Sequence, residues 1–225
     1  MASIKALVAV FGCVFIAAAG PAVAQSAKGF YVGVGGGINF LQDTDFNVLG
    51  TVNVENEYDS GFTLSGYGGY DFGPVWPLGG VRLEGEFAYR DNGIDVHNVS
   101  ALGGDQPGSD GDATSFTFMT NAYNDFLPES KLRPYVGAGV GVARVDFSDY
   151  GIAAIPNVLD DSDTVFAWQA MGGIAYDLTE KITFGAEYRY FSAEPTFTTS
   201  AATGSVKNDV NYRNHSLLFK FNYRL

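Results

Sequence analysis

The chain has 225 residues, a length within the range of one all-β domain. Its 29 glycines, 15% aromatic residues and only 17% charged residues suit a glycine-punctuated β protein better than a helical enzyme. Because the formal net charge is −12, nucleic acid is not expected as a partner.

A secretory signal peptide is predicted over residues 1–24. Lys5 precedes the apolar run ALVAVFGCVFIAAAG, and Ala22 and Ala24 form an A-x-A site, so we expect cleavage after Ala24. The alternative is lipidation of Cys13 in VFGC, but the apolar run continues for six residues beyond this cysteine, which favours the signal peptide. The mature domain, 25–225, then contains no cysteine.

From Gly29 onward, apolar and polar residues alternate with the period of a β-strand in eight segments. These predicted strands lie near 29–42, 61–72, 81–98, 113–126, 133–148, 164–178, 181–193 and 210–225. The connections after the second, fourth and sixth strands are short, whereas the other four are long and acidic. This pattern predicts an all-β fold, an eight-stranded antiparallel up-and-down transmembrane β-barrel with both termini periplasmic and four long acidic external loops.

In this barrel the apolar face of each strand contacts lipid and the polar face lines a narrow lumen. The polar faces predict an ionic network in the lumen, formed by Arg82, Glu84, Glu86, Arg90, Glu187, Arg189, Lys220 and Arg224. The alternative is a soluble periplasmic sandwich or lipocalin-like barrel with its apolar faces inward. We favour the membrane barrel because the interior of eight strands is too narrow for a bulky apolar side chain at every second position.

Glycines recur at every second position in two of these strands, at 33, 35 and 37 in YVGVGGGINF and at 137, 139 and 141 in RPYVGAGVGVARVDF. A nucleotide-binding loop is excluded because the G-x-G-x-x-G spacing is not met and no helix pattern follows. We predict that these glycines leave room in the lumen for the long Arg and Glu side chains of other strands.

The signal peptide, the first strand GFYVGVGGGINF, the strand PYVGAGVGVARVDF and the last strand NHSLLFKFNYRL together resemble a known family. They are similar to the eight-stranded OmpA-like and opacity-type outer-membrane surface proteins of Gram-negative bacteria. The resemblance implies insertion into the outer membrane by the barrel-assembly machinery, which recognises the last strand. The recognised positions would be Phe219, Phe221, Tyr223 and Leu225, with Leu225 in the place where such strands usually end in Phe.

Catalysis by this chain is not expected, although some barrels of this size modify lipid A. His215 and Ser216 are neighbours on a strand and therefore face opposite sides, and His97, two residues after Asp95, fits a solvated loop edge. No cofactor or metal site is predicted, because the acidic runs 104–112 and 159–163 lack the spacing of a calcium loop and fit flexible solvated loops.

The resulting functional prediction is a structural or surface-contact role, adhesin-like or in envelope integrity. The expected partners are outer-membrane lipid and lipopolysaccharide, with divalent cations or host surface molecules at the acidic loops. Two alternatives remain: a narrow pore or OmpW-like transporter of small molecules, and a lipid A-modifying enzyme.

Overall fold

The computed structural model describes residues 28–42, 44–48, 52–58, 60–76, 79–99, 104–106, 110–152, 155–201, 204–209 and 211–225. Its side chains are described over 28–42, 60–76, 79–92, 113–146, 162–196 and 211–225. The predicted signal peptide and its cleavage site lie outside the described residues. Within those residues, no helix is long and apolar enough to cross a membrane.

The described part of the chain forms thirteen β-strands. They are β1 (Gly29–Leu41), β2 (Thr44–Val48), β3 (Val52–Tyr58), β4 (Ser60–Trp76), β5 (Gly79–Val99), β6 (Gly104–Gln106), β7 (Asp110–Phe126), β8 (Leu132–Ile152), β9 (Ile155–Asp177), β10 (Ile182–Ala193), β11 (Thr196–Ala201), β12 (Gly204–Asp209) and β13 (Tyr212–Arg224).

Eight of these strands pair in a closed antiparallel ring, in the order β1, β4, β5, β7, β8, β9, β10 and β13. The last strand closes the ring on the first, with Tyr31 opposite Arg224 and Leu41 opposite Asn214. The predicted eight-stranded up-and-down barrel is therefore confirmed. The first residues of β1 and the last of β13 lie beside the three short turns, at what we name the turn end; the opposite end is the loop end.

The long connections at the loop end contain more strand than the sequence analysis expected. β2 and β3 form a hairpin that continues onto the upper part of β5, and β6 pairs with β5 as well. β8 and β9 run on until Ile152 pairs with Ile155, and β11 pairs with β12. The sequence analysis expected flexible solvated loops over 104–112 and 159–163, whereas the described residues 104–106, 110–112 and 159–163 belong to paired strands. We name β2, β3, β6, β11, β12 and the outer ends of β8 and β9 the loop-end strands.

Alternation along the barrel strands separates an apolar outside from a packed inside. Phe219 is 77% exposed and Phe166 65% exposed on the outer face, whereas the neighbouring inward residues Leu218 and Lys220 are buried. A soluble barrel would bury its large apolar residues in the interior, so this arrangement is inside out for a protein in water and suited to a surrounding of lipid.

The interior has two unlike halves. Towards the turn end it is filled by charged side chains, in agreement with the expected polar lumen. Towards the loop end it holds an apolar cluster, which the sequence analysis did not anticipate. This cluster consists of Leu41, Ala113, Met119, Ala143, Val145, Ala167, Phe191, Ala193 and Tyr212.

Candidate functional site

The charged half of the interior is the candidate functional site, and we name it the lumen network. Its members are the cations Arg82, Arg133, Arg189, Lys220 and Arg224 and the anions Asp71, Glu84, Glu86, Asp125, Asp177 and Glu187. Seven of the eight residues predicted from sequence belong to it. Arg90 is buried in the lumen too, but it forms no ion pair with any carboxylate whose side chain is described.

The centre of the lumen network is a two-pronged ion pair across the barrel. Arg189 on β10 donates from Nη1 and Nη2 to the two carboxylate oxygens of Glu86 on β5, at 2.6 and 2.8 Å. It also donates from Nε and Nη2 to Oε1 of Glu187, at 3.1 and 2.7 Å. All three side chains are fully buried. A planar guanidinium with carboxylates on two edges is held in one orientation, so this group fixes the distance between opposite walls.

Lys220 on β13 connects this centre to the turn end. Its Nζ lies 3.3 Å from Oε2 of Glu84 and 3.4 Å from Oε2 of Glu187. The ammonium also lies 4.2 Å from the centroid of the Tyr67 ring. One cation therefore neutralises carboxylates from two different strands while an aromatic face covers it.

At the turn end, aspartates that the sequence analysis did not include complete the network. Nε and Nη2 of Arg82 donate to the carboxylate of Asp125 at 2.7 and 3.0 Å. Nη2 of Arg133 donates to Asp177 at 2.9 Å, and Nη2 of Arg224 donates to Asp71 at 3.3 Å.

Tyrosine rings lie opposite four of the inward glycines. In the strand register Tyr67 lies opposite Gly33, Tyr31 opposite Gly69, Tyr123 opposite Gly137 and Tyr135 opposite Gly173. A Cβ at Gly173 would lie 2.6 Å from the ring of Tyr135. Of the six glycines predicted to leave room for Arg and Glu side chains, Gly33 and Gly137 lie against the rings of Tyr67 and Tyr123, whereas Gly35 and Gly139 lie against the polar side chains of Ser65 and Asn121. The predicted partner of the glycines was therefore wrong.

Among the nearest described atoms, a long cationic side chain lies against one of these glycines: the stem of Lys220 would be 3.6 Å from a Cβ at Gly35. At Gly37 and Gly141 a Cβ would instead meet backbone carbonyls of the neighbouring strand, those of Leu217 and Phe118. The inward glycines thus allow both flat packing of rings and close approach of strands.

The tyrosine packing predicts that Gly137→Ala destabilises the barrel. The new methyl group would overlap the buried ring of Tyr123, which is already packed against Tyr135 at 5.6 Å between centroids. We expect a loss of about 1–3 kcal/mol, the usual cost of overpacking, measured by urea unfolding in lipid vesicles.

The matched control is Gly66→Ala on the outer face, where a Cβ would meet no atom within 4 Å. This variant should be as stable as the wild type or slightly more so, because alanine restricts the unfolded chain. Equal losses in the two variants would contradict the role assigned to the tyrosine rings.

Arg90 lies between the lumen network and the apolar cluster. Its Nη1 donates to Oγ1 of Thr117 at 3.1 Å, and its guanidinium lies 4.3 Å from the centroid of the Phe191 ring. Its Nε and Nη2 find no hydrogen-bond acceptor among the described residues. Arg90 is therefore not a member of the lumen network, although it was predicted to be one.

Among the described residues, His215 and Ser216 lie on opposite faces of β13 and do not form a catalytic pair. His215 faces outward, where Nδ1 lies 2.5 Å from the Tyr188 hydroxyl and Nε2 lies 2.8 Å from Nε2 of Gln42. Ser216 faces inward and donates to Oδ1 of Asn39. Their predicted placement on opposite faces is confirmed. The side chain of His97 lies outside the described residues.

No group of three or more His, Cys, Asp or Glu side chains within the described ranges is arranged to hold a metal ion. The last strand places all four residues expected to be recognised during assembly, Phe219, Phe221, Tyr223 and Leu225, on the exposed outer face. Recognition of these side chains by the assembly machinery stays a prediction.

The comparison with known families agrees with this architecture. Residues 8–224 match the family described as the outer membrane protein beta-barrel domain. The chain belongs to this family. It is therefore an outer-membrane protein.

Individual relatives extend over most of the chain. The outer membrane protein PagN of Salmonella typhimurium strain LT2 is 31% identical over 196 residues, which cover 76% of this chain and 77% of PagN. The outer membrane protein OprG of Pseudomonas aeruginosa has a similar structure, with a TM-score of 0.54 and 17% identity over 89% of this chain and 99% of OprG. Neisserial surface protein A covers 87% of this chain and 97% of its own, with a TM-score of 0.49 and 19% identity.

Proposed function

We propose that this protein is a closed outer-membrane barrel that displays its loop-end strands at the cell surface, in a structural or surface-contact role. The observation that carries this proposal is the filled interior. The proposal also assigns the turn end to the periplasm and the loop end to the outside, the usual arrangement of short turns and long connections in outer-membrane barrels.

Two groups of side chains close the interior, one in each half of the barrel. Arg189, Glu86 and Glu187 form hydrogen-bonded ion pairs across the lumen with no exposed side-chain surface. The apolar cluster closes the loop-end half, with the large side chains of Met119 and Phe191 fully buried. An ion crossing the barrel would have to break the charge pairs and then enter an apolar layer, so conduction is opposed by two different barriers.

The surface role rests on the loop-end strands and their charge. These strands, their connections and the first residues of β7 carry the acidic residues Asp43, Asp45, Glu55, Glu57, Asp59, Asp105, Asp110, Asp112, Asp149, Asp160, Asp161, Asp163 and Asp209. Carboxylates attract divalent cations, and such cations bridge to phosphate groups. The proposed partners are therefore lipopolysaccharide through divalent cations, host surface molecules at the loop-end strands, outer-membrane lipid around the barrel, and the barrel-assembly machinery during insertion.

The proposal includes the absence of enzymatic activity. Glu84, Glu86 and Glu187, which could act as acids or bases, are each bound to a cation inside the lumen. They are separated by the barrel wall from the lipid that a lipid A-modifying enzyme would act on. This placement favours a neutralised structural network over a catalytic group.

Planar-bilayer recordings test the closed barrel. We expect the purified, folded protein to show negligible conductance or very small, infrequent openings, because the lumen network leaves no continuous aqueous path. A porin reconstituted in the same way is the positive control, and heat-modifiable electrophoretic mobility verifies folding. Large, stable steps would contradict the proposal and favour the pore alternative.

A deletion strain tests the rest of the proposal. Lipid A should have the same mass spectrum with and without the protein, whereas attachment to surfaces or envelope integrity should change. Complementation with a variant whose loop-end strands are shortened to tight turns should restore envelope integrity but not attachment. A change in lipid A acylation would contradict the proposal.

A further inference from the structure

The turn-end half of the lumen contains a cavity that the lumen network does not fill. It has a volume of about 20 Å³ and is lined by the arginines Arg82, Arg133 and Arg224 together with Tyr31, Asp71, Thr183 and Asn222. These residues come from β1, β4, β5, β8, β10 and β13, close to the short turns, and the cavity is open on one side. Its volume accommodates about one water-sized atom.

The arginines around the cavity have more donors than the protein has acceptors for them. Nε and Nη1 of Arg133 and Nε of Arg224 are buried atoms with no hydrogen-bond partner among the described residues. Nη1 of Arg133 has only 3.6 Å ion-pair contacts with Asp71 and Asp125. Arg133 as a whole is 3% exposed, so its donors are buried within the wall of the cavity. Unpaired donors on a buried cation are costly unless an acceptor occupies the adjoining space.

The donor nitrogens of Arg82, unlike those of Arg133 and Arg224, all have acceptors within the protein. Its guanidinium is already bound to both oxygens of Asp125 and to Glu84. The carboxylate of Asp71 accepts from Arg224 and from the backbone amide of Gly73. The free hydrogen-bonding capacity at the cavity therefore consists of donors on two positively charged groups, which selects an acceptor with negative charge.

From this geometry we propose that the turn-end cavity binds a small oxyanion such as inorganic phosphate. One oxygen of the anion enters the cavity and accepts one hydrogen bond from Nη1 of Arg133 and one from Nε of Arg224. The remaining oxygens stay at the open side, because the enclosed volume has room for one atom of that size. The guanidinium groups suit this role, since their fixed planar donors match the oxygens of phosphate.

The test uses the full mature chain refolded in uncharged detergent micelles. Nitrogen-15 NMR of the arginine Nε–H groups is recorded during a phosphate titration at constant pH and ionic strength, with chloride as the replaced anion. We expect saturable shifts of the Arg133 and Arg224 signals, and no saturable shift for Arg189, which is already bound to Glu86 and Glu187. Arg133→Gln should weaken the affinity seen at Arg224 by roughly tenfold, the effect of removing a charged hydrogen-bond donor.

The matched control is Arg144→Gln, because Arg144 is an exposed cation near the loop end and far from the cavity. This variant should bind phosphate as the wild type does. Vesicles of phosphatidylglycerol or phosphatidylcholine, added without free phosphate, distinguish a lipid headgroup from a soluble anion as the source. A wild-type protein whose Arg133 and Arg224 signals do not saturate with phosphate would overturn the proposal, whether or not Arg133→Gln folds.

Discussion

Phe219→Arg should destabilise the folded barrel in a lipid bilayer by about 2–4 kcal/mol, the cost of an arginine on the lipid face near the bilayer midplane. Phe219 is the most exposed large apolar residue described on the outer face, at 77%. It lies in the middle of β13, which spans Tyr212–Arg224. The charged side chain has no water to reach at that depth except by distorting the bilayer. The free energy of unfolding is measured by urea titration in vesicles.

Leu132→Arg is the matched control, since Leu132 also faces outward but is the first residue of β8, at the turn end. An arginine there reaches the headgroups, and the expected cost is about 0–1 kcal/mol. A fluorophore at position 219 should in addition be quenched by brominated lipid chains and not by aqueous iodide. Equal costs at the two depths, or quenching by iodide alone, would contradict the assignment of the outer face to lipid.

Arg189→Met should cost about 3–5 kcal/mol, the usual effect of removing one partner of a buried ion pair. The substitution would leave Glu86 without its two hydrogen bonds of 2.6 and 2.8 Å and would weaken the neutralisation of Glu187. Arg90→Met removes another fully buried arginine of the same lumen, but no described carboxylate loses an ion-pair partner. Its cost should be much smaller, because only a contact with Thr117 and the face of Phe191 are lost.

Unfolding curves of both variants in vesicles, followed by tryptophan fluorescence, give this comparison directly. The double variant Glu86→Gln with Arg189→Met should recover part of the loss, because the amide does not leave a buried charge unpaired. If Arg90→Met proved as damaging as Arg189→Met, the interior would depend on side-chain volume and not on charge pairing.

The barrel itself could be predicted because its signal is local. Alternation within each strand assigned Arg82, Glu84 and Glu86 to the inside and Leu83 and Phe87 to the outside, and the structure places them there. A strand has a period of two, so parity alone determines the face once the strand is recognised. The contrast between short and long connections then gave the up-and-down topology.

The features that were not predicted correctly depend on how neighbouring strands are paired. The sequence shows that Gly33 and Gly137 lie on the inner face, but only the register shows that Tyr67 and Tyr123 lie opposite them. Arg133 was missed although its inward parity matches that of Tyr135, because it stands before a proline at the start of a strand, where alternation has barely begun.

The apolar cluster and the loop-end strands were not predicted from the sequence for a related reason. Leu41, Phe191 and Tyr212 lie at strand ends, where one inward apolar residue does not interrupt a polar pattern strongly enough to be noticed. The strands β2 and β3 carry asparagines and acids that are typical of loops, and they form strands because β3 pairs with β5 and β2 pairs with β3.

The ion pairs of the lumen network join residues that are far apart in the chain. Arg189 and Glu86 are separated by 103 positions, Lys220 and Glu84 by 136, and Arg224 and Asp71 by 153. Closure of β13 onto β1 is needed before the last two of these pairs exist. A partly inserted chain would present unpaired charges and an open strand edge to hydrocarbon, both of which lipid opposes. We therefore expect membrane insertion, ring closure and charge neutralisation to be coupled, with pairing of the final thirteen-residue strand as the step that completes the folded barrel.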